Sequence, residues 1–166
     1  MDVAAVALGD LDHELRRTRT ALERIRDEHL DWRPHAKSYT LGGLATHIAN
    51  LPSRIVGIVQ ATDFDLAQAP PNLGGDADRA AVLERFDANA RAARDAVAAA
   101  DDAMLTATWT LRHGDRVLAK MPRAAAIRTH GLSHLIHHRA QLTVYLRLLD
   151  IPVPGLYGPS ADERRD

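Results

Sequence analysis

The sequence predicts an all-α protein, a four-helix bundle with a short β-hairpin between the third and fourth helices. Three observations predict it. Four segments carry apolar residues at alternating steps of three and four, the spacing that keeps one stripe of an α-helix facing its partners. Helix-stopping and helix-starting residues fall between those segments. One stretch, around His113-Gly114-Asp115, instead shows strand character on both sides of a turn.

The first helix carries Leu8, Leu11, Leu15, Thr18, Leu22, Ile25 and His29 on its stripe, and Asp31-Trp32-Arg33-Pro34 ends it, because the residue before a proline is pushed out of the helical region. Thr40 is a good N-cap for the second helix, whose stripe is Leu41, Leu44, Ile48, Leu51, Ile55 and Ile58. Pro52 lies inside that helix, where it removes a hydrogen bond to the carbonyl of Ile48 and predicts a kink or bulge one turn beyond His47. The run from Ala69 to Gly75 reads as a loop, and Asp76 or Asp78 can cap the third helix, with Leu83, Phe86, Ala90, Ala93, Val97, Ala100 and Met104 inward. The hairpin is expected over Thr106 to Leu111 and Arg116 to Lys120. Pro122 suits the first turn of the fourth helix, whose stripe is Ile127, Gly131, His134, His138, Gln141, Tyr145 and Leu148. Ile151-Pro152-Val153-Pro154-Gly155 cannot continue a helix, and the Asp-Glu-Arg-Arg-Asp ending is expected to fray.

At 166 residues the chain is expected to form one domain spanning residues 1–166. A formal net charge of −1 supplies no global field for nucleic acid or anionic lipid. Arg16, Arg17, Arg19, Arg24 and Arg26 are interleaved with Glu14, Glu23, Asp27 and Glu28, the pattern of a solvated helix face. The chain has no cysteine, which excludes disulfides, thiolate ligands and a cysteine nucleophile. No secretory signal or membrane-length apolar run is visible, so a soluble cytoplasmic protein with neither nucleic-acid nor membrane partners is expected.

The chemistry concentrates in the histidines. His134 and His138 stand one turn apart on a stripe meant for Leu or Val, and imidazoles are costly to bury there unless something satisfies their nitrogens. One divalent ion can do so for both. A third donor is needed, and His47, bordering the inner face of the second helix, is the best candidate. His130 is a fourth, turned aside by the 40° drift of each i+4 step and expected as a wall residue; His137 points off the stripe. His13, His35 and His113 are expected on the surface, and His29 at the end of the first helix, where a cation suits the dipole. Three neutral imidazoles leave positions for water or substrate, the open arrangement of a catalytic site, and suit zinc or nickel foremost, with iron and manganese also compatible.

Other chemistries lack their parts. Leu135 stands where a zinc peptidase helix has its general base, and no nucleophile elbow, phosphate loop or dinucleotide fingerprint is present. Carboxylates on the inner stripes are too few for a di-iron bundle. Gln141 and Asn50 are candidates to orient a ligand or substrate, Arg139 reads as a surface cation, and Trp32, Trp109 and Tyr157 read as packing residues. No catalytic residue can be assigned.

Thr40-Leu41-Gly42-Gly43-Leu44-Ala45-Thr46-His47-Ile48-Ala49-Asn50-Leu51 resembles the second-helix motif of the DinB/YfiT-like proteins. His134-Leu135-Ile136-His137-His138-Arg139-Ala140-Gln141 is similar to their fourth-helix motif, His-x-x-x-His-Arg-Gly-Gln, and Tyr145 to Leu149 and Pro152 to Gly158 match the family's ending. The DNA polymerase that shares the name is unrelated. The resemblance covers most of the chain and implies a four-helix bundle, commonly homodimeric, holding a divalent ion with His47, His134 and His138. It also implies thiol chemistry, since the superfamily includes metal-dependent transferases using bacillithiol, mycothiol or glutathione and a mycothiol-dependent maleylpyruvate isomerase. Ala140 departs from the family's glycine and is expected to widen local helix packing slightly without touching a ligand.

Three functions compete on this reading. The first is an enzyme in which the ion lowers the pKa of a small-molecule thiol and presents it to an electrophile. The second is a non-catalytic, metal-binding stress-response dimer. The third is a structural dimer with vestigial histidines. A metal-linked hydrolase lacks an obvious general base.

Overall fold

A computed structural model describes residues 3–69, 75 and 78–163, apart from the side chains of residues 3–6 and 8. The expected roles of Leu8 and Asp76, most of the Ala69–Gly75 loop and the last three tail residues therefore lie outside the described residues. The chain is mostly helical with one small sheet. Its order is α1 (Val3–Leu22), α2 (Leu41–Gln60), β1 (Asp63–Asp65), α3 (Arg79–Ala98), α4 (Asp102–Thr106), β2 (Thr108–His113), β3 (Arg116–Pro122), α5 (Arg123–Ala126) and α6 (His134–Leu148). A π-helical segment, Ile127–Ser133, joins α5 to α6 without a break, since Ile127 and Ser133 both keep right-handed helical dihedrals. Helices α3 and α6 both pack on α1 and α2.

Helix α2 follows its sequence closely. Thr40 accepts from the Gly43 amide at 3.0 Å, and Leu41, Leu44, Ile48, Leu51, Ile55 and Ile58 are all buried. No bulge accompanies Pro52: α2 stays α-helical through it. Neighbouring carbonyls are satisfied from side chains, with Asn89 Nδ2 donating to Ala49 O at 2.9 Å and Ser53 Oγ to Asn50 O at 2.7 Å.

The first helix ends earlier than Asp31-Trp32. It stops at Leu22, Arg26 is extended, and Asp27–His29 forms a short 3₁₀ turn. A distant helix supplies the cause. Asp27 Oδ1 accepts from the Arg79 amide at 2.7 Å while Asp78 Oδ1 accepts from Ala81 N at 2.8 Å, so two carboxylates serve the free amides that begin α3. Ile25 stays buried as the chain turns. The third stripe likewise breaks: α3 ends at Ala98, α4 restarts under an Asp101 cap, and Leu105 takes the buried place expected for Met104, which is exposed.

The hairpin is present, with its turn at Gly114, whose φ of +57° favours glycine. Pro122 ends β3 and precedes the helix rather than occupying its first turn. The sheet also has a third strand. β1 pairs in parallel with β2, Phe64 opposite Leu111, pinned where Arg112 meets Asp63 at 2.8 Å and Asp65 at 2.5 Å. Three residues are too few for period-two alternation to stand out.

The largest correction concerns the fourth stripe. After Gly131 the helix buries Leu132, Leu135, Arg139, Leu142 and Leu146, each one residue beyond an expected position, while of the expected positions Tyr145 stays buried and Gln141 and Leu148 are exposed. The π segment explains the shift, because an i→i+5 turn takes in one extra residue and rotates everything after it. His134 and His138 consequently lie beside the core seam and are half-buried. Ala140 is exposed, so its methyl widens no packing.

Within the π segment Gly131 touches α2: a Cβ there would come within 2.6 Å of Ile55 Cγ1. Gly131→Ala is expected to cost about 1–3 kcal/mol in denaturant unfolding. Ile55→Ala should make the same glycine replacement nearly neutral, because the colliding side chain is then gone. An uncompensated Gly131→Ala at wild-type stability would contradict this contact.

Candidate metal centre

Two helices build the site. Regular α2 places His47 one residue before buried Ile48, and the rotated α6 turns His134 and His138 toward it. The ring centroid of His47 is 4.4 Å from that of His138 and 5.4 Å from that of His134, and the latter two are 4.7 Å apart. One nitrogen from each ring can be chosen so that all three lie within 4.8 Å of one another. Among the described residues these three form the only such group of His, Cys, Asp or Glu. The structure thus brings together the three histidines singled out in the sequence.

Protonation suits a cation. Burial, then the neighbouring His138, Arg54, His47 and His137 charges, push the His134 imidazole down to about 4. Burial also lowers His138, against a hydrogen bond from Gln141 that acts the other way. Both rings are neutral near pH 7 and keep a lone pair to offer. Gln141 selects which nitrogen. Its Oε1 accepts from His138 Nδ1 at 2.8 Å, which leaves Nε2 as the bare nitrogen, and that atom faces His134 Nε2 at 2.9 Å. Gln141 Nε2 meets His137 Nε2 at 3.2 Å. Tyr39 stacks on His47 with centroids 5.7 Å apart and planes 17° from parallel. Three imidazoles with nitrogens close together, two from adjacent turns of α6 and one from α2, fit a borderline divalent ion.

The remaining residues take clear places. His13, His35, His113 and His137 are exposed and His29 lies in the 3₁₀ turn. His130 stays outside the cluster, packed on Trp109 with centroids 5.6 Å apart, as expected of a wall residue. Asn50 contributes its carbonyl to Ser53. Trp32 packs edge-on to Tyr145, and Trp109 is buried.

Arg139 and Tyr157 depart from expectation. Arg139 is 1% exposed, paired with Glu14 at 2.7 Å, and donates to Glu14 O, Thr18 Oγ1 and the Tyr157 hydroxyl. Tyr157 in turn donates to Glu14 Oε2 at 2.7 Å, with the Arg17 and Arg139 guanidinium carbons 4.8 and 5.2 Å from its ring centroid. The sequence signal was present but misphased, since the π segment moved Arg139 onto the buried seam. Sequence reasoning also passed over Arg54, two turns beyond His47 on α2 and half-buried above the Phe64 ring. Its signal was that spacing of seven.

A cleft of about 390 Å³ between α1 and α3 contains none of these groups. Along it Arg19 pairs with Asp87 and Arg94 with Asp12.

A DinB family model matches residues 7–165. The chain is 26% identical over 152 residues to the uncharacterized protein YrdA of Bacillus subtilis (strain 168), covering 88% of this chain and 83% of that one. Its fold is similar to a DinB-like protein from Bacillus cereus ATCC 10987, with a TM-score of 0.71, 22% identity, and coverage of 91% and 95% of the two chains. It is also similar to the DinB-like YjoA of Bacillus subtilis, with a TM-score of 0.67, 15% identity, and coverage of 96% and 99%. No helix among the described residues is long and apolar enough to cross a membrane.

Proposed function

The chain belongs to the DinB family, and on that premise we propose that it is a divalent-metal-binding four-helix bundle whose ion activates a small-molecule thiol for transfer to an electrophile. The observation that carries the metal half is the convergence of His47, His134 and His138. These three side chains hold the ion, with zinc and nickel the best matches and iron and manganese also suited to the donors. When bound, the ion supplies Lewis acidity, which lowers the pKa of a thiol and favours its nucleophilic thiolate. Gln141 fixes the tautomer of His138 so that Nε2 faces the site, and burial keeps His134 unprotonated. Only side chains from two helices line up as donors, which leaves room for an incoming sulfur. A homodimer in the cytoplasm completes the reading.

The test is a panel of thiols, including glutathione and N-acetylcysteine, assayed with a generic electrophile before and after loading with zinc or nickel. Ion-dependent conjugation is expected for at least one thiol. Stoichiometric ion binding without turnover for any thiol would replace the enzyme with a non-catalytic metal-binding protein.

A further inference from the structure

We infer that the site takes a carboxylate-bearing small molecule, with the Arg54 guanidinium holding that carboxylate beside the three imidazoles. The inference rests on reading the histidine cluster as an ion site and names the class of molecule that site accepts.

The argument begins with charge. Arg54 is half-buried, and its surroundings are the Phe64 ring, 5.9 Å from the guanidinium carbon, and the Tyr39 hydroxyl. No carboxylate among the described residues is paired with it, whereas Arg19, Arg94, Arg112, Arg128, Arg139 and Arg147 each have one. Arg54 also lies close enough to His130, His134 and His138 for its charge to oppose their protonation. A divalent ion among neutral imidazoles adds two further positive charges beside a guanidinium that no carboxylate among the described residues compensates. Such an arrangement calls for an anion from outside.

The wall beside it has unspent hydrogen-bonding capacity. Phe64 and Leu111 are opposite each other in the sheet, and Trp109, two residues from Leu111, shares their face. Arg54 lies over Phe64 and His130 over Trp109, so both basic groups sit on one side of the sheet. Trp109 Nε1 and His130 Nε2 are buried nitrogens with no hydrogen-bond partner. An indole N–H and a guanidinium can only donate, so this wall is complementary to an acceptor.

The geometry also limits the ligand. Arg54 is seven residues from His47, which is about 10 Å along the helix axis. A flexible arginine spans part of that distance, so a short molecule can reach the ion with one end and Arg54 with the other. One guanidinium presents one planar fork, which matches a single carboxylate.

The experiment is a double-mutant cycle read by calorimetry. N-acetylcysteine and its amide, which differ by the one charge, are titrated into zinc-loaded wild type and Arg54→Gln. The readout is the ratio of the two affinity ratios, in which thiol acidity and direct chelation of zinc cancel. We expect wild type to favour the acid over the amide by at least about tenfold more than Arg54→Gln does. Arg54→Lys should keep part of that preference, since it retains charge without the fork. Equal preferences in wild type and Arg54→Gln, or no saturable binding of N-acetylcysteine in the millimolar range, overturns the inference. Zinc titrations of the same samples separate the two levels. Failure of wild type to bind zinc defeats the ion reading, and the ligand pair is then measured on metal-free protein, where loss of the preference in Arg54→Gln still supports Arg54 and its absence overturns it.

Discussion

Zinc at about a hundred times its dissociation constant is expected to raise the melting temperature of this protein by roughly 5–10 °C, and His138→Ala to remove that rise. An ion that binds only the folded chain stabilises it by about 2.7 kcal/mol at that excess. For chains of about 150–250 residues each kcal/mol moves the midpoint by roughly 2–4 °C. His138 is the member to remove, because its ring lies 4.4 Å from His47 and 4.7 Å from His134, between the two helices that must share the ion. Even residues that merely support a ligand change affinity by roughly 10–100-fold, so loss of a ligand itself should exceed that. Metal-free His138→Ala should melt within a few degrees of the wild type, since the ring is half-buried and alanine favours a helix. His137→Ala, an exposed neighbour, should keep the full zinc response. A zinc response unchanged in His138→Ala would remove the basis of the metal reading.

The second large effect is structural. Arg139→Met is expected to cost about 3–5 kcal/mol, because it leaves the Glu14 carboxylate buried without its cation. That loss corresponds to a melting temperature lower by on the order of 10 °C. The Glu14 side chain is 8% exposed, so water cannot replace the guanidinium. Thr18 Oγ1 and the Tyr157 hydroxyl would lose a donor as well. Arg139→Met combined with Glu14→Leu should recover much of the loss, since removing both charges leaves an apolar contact between α1 and α6. A single-variant cost below about 1 kcal/mol, the scale of a solvent-exposed pair, would refute the assignment.

Sequence reasoning succeeded where helices are regular and failed where they are not. The whole α2 stripe was legible, and with it the place of His47, because Pro52 leaves the α-helical phase of that element intact. Apart from Tyr145, the α6 stripe was displaced by one position, because hydrophobic periodicity assumes 3.6 residues per turn and carries no mark of an i→i+5 turn. The same displacement hid Arg139, whose charge suggested solvent. The histidine pair survived it, since residues four apart remain neighbours whichever way the helix is rotated. The early end of α1 depends on Asp27 meeting Arg79, a contact 52 residues away that no local window contains. Arg54 was overlooked because its spacing of seven from His47 shows only a shared helix face, and its meaning lies in having no paired carboxylate among the described residues, which is a property of three dimensions.

One extra residue in a helix turns everything downstream by about 100°, like the crank of a shaft. Within Ile127–Ser133 the rod meets α2 through Gly131 and Ile55; downstream, it presents Leu135, Leu142 and Leu146 to the interior and its histidines to the side. The two halves of the rod are therefore set at independent angles. The interior can be filled with leucine while the imidazoles keep their orientation toward α2, a division of labour that an unbroken 3.6-residue repeat on this backbone would forbid.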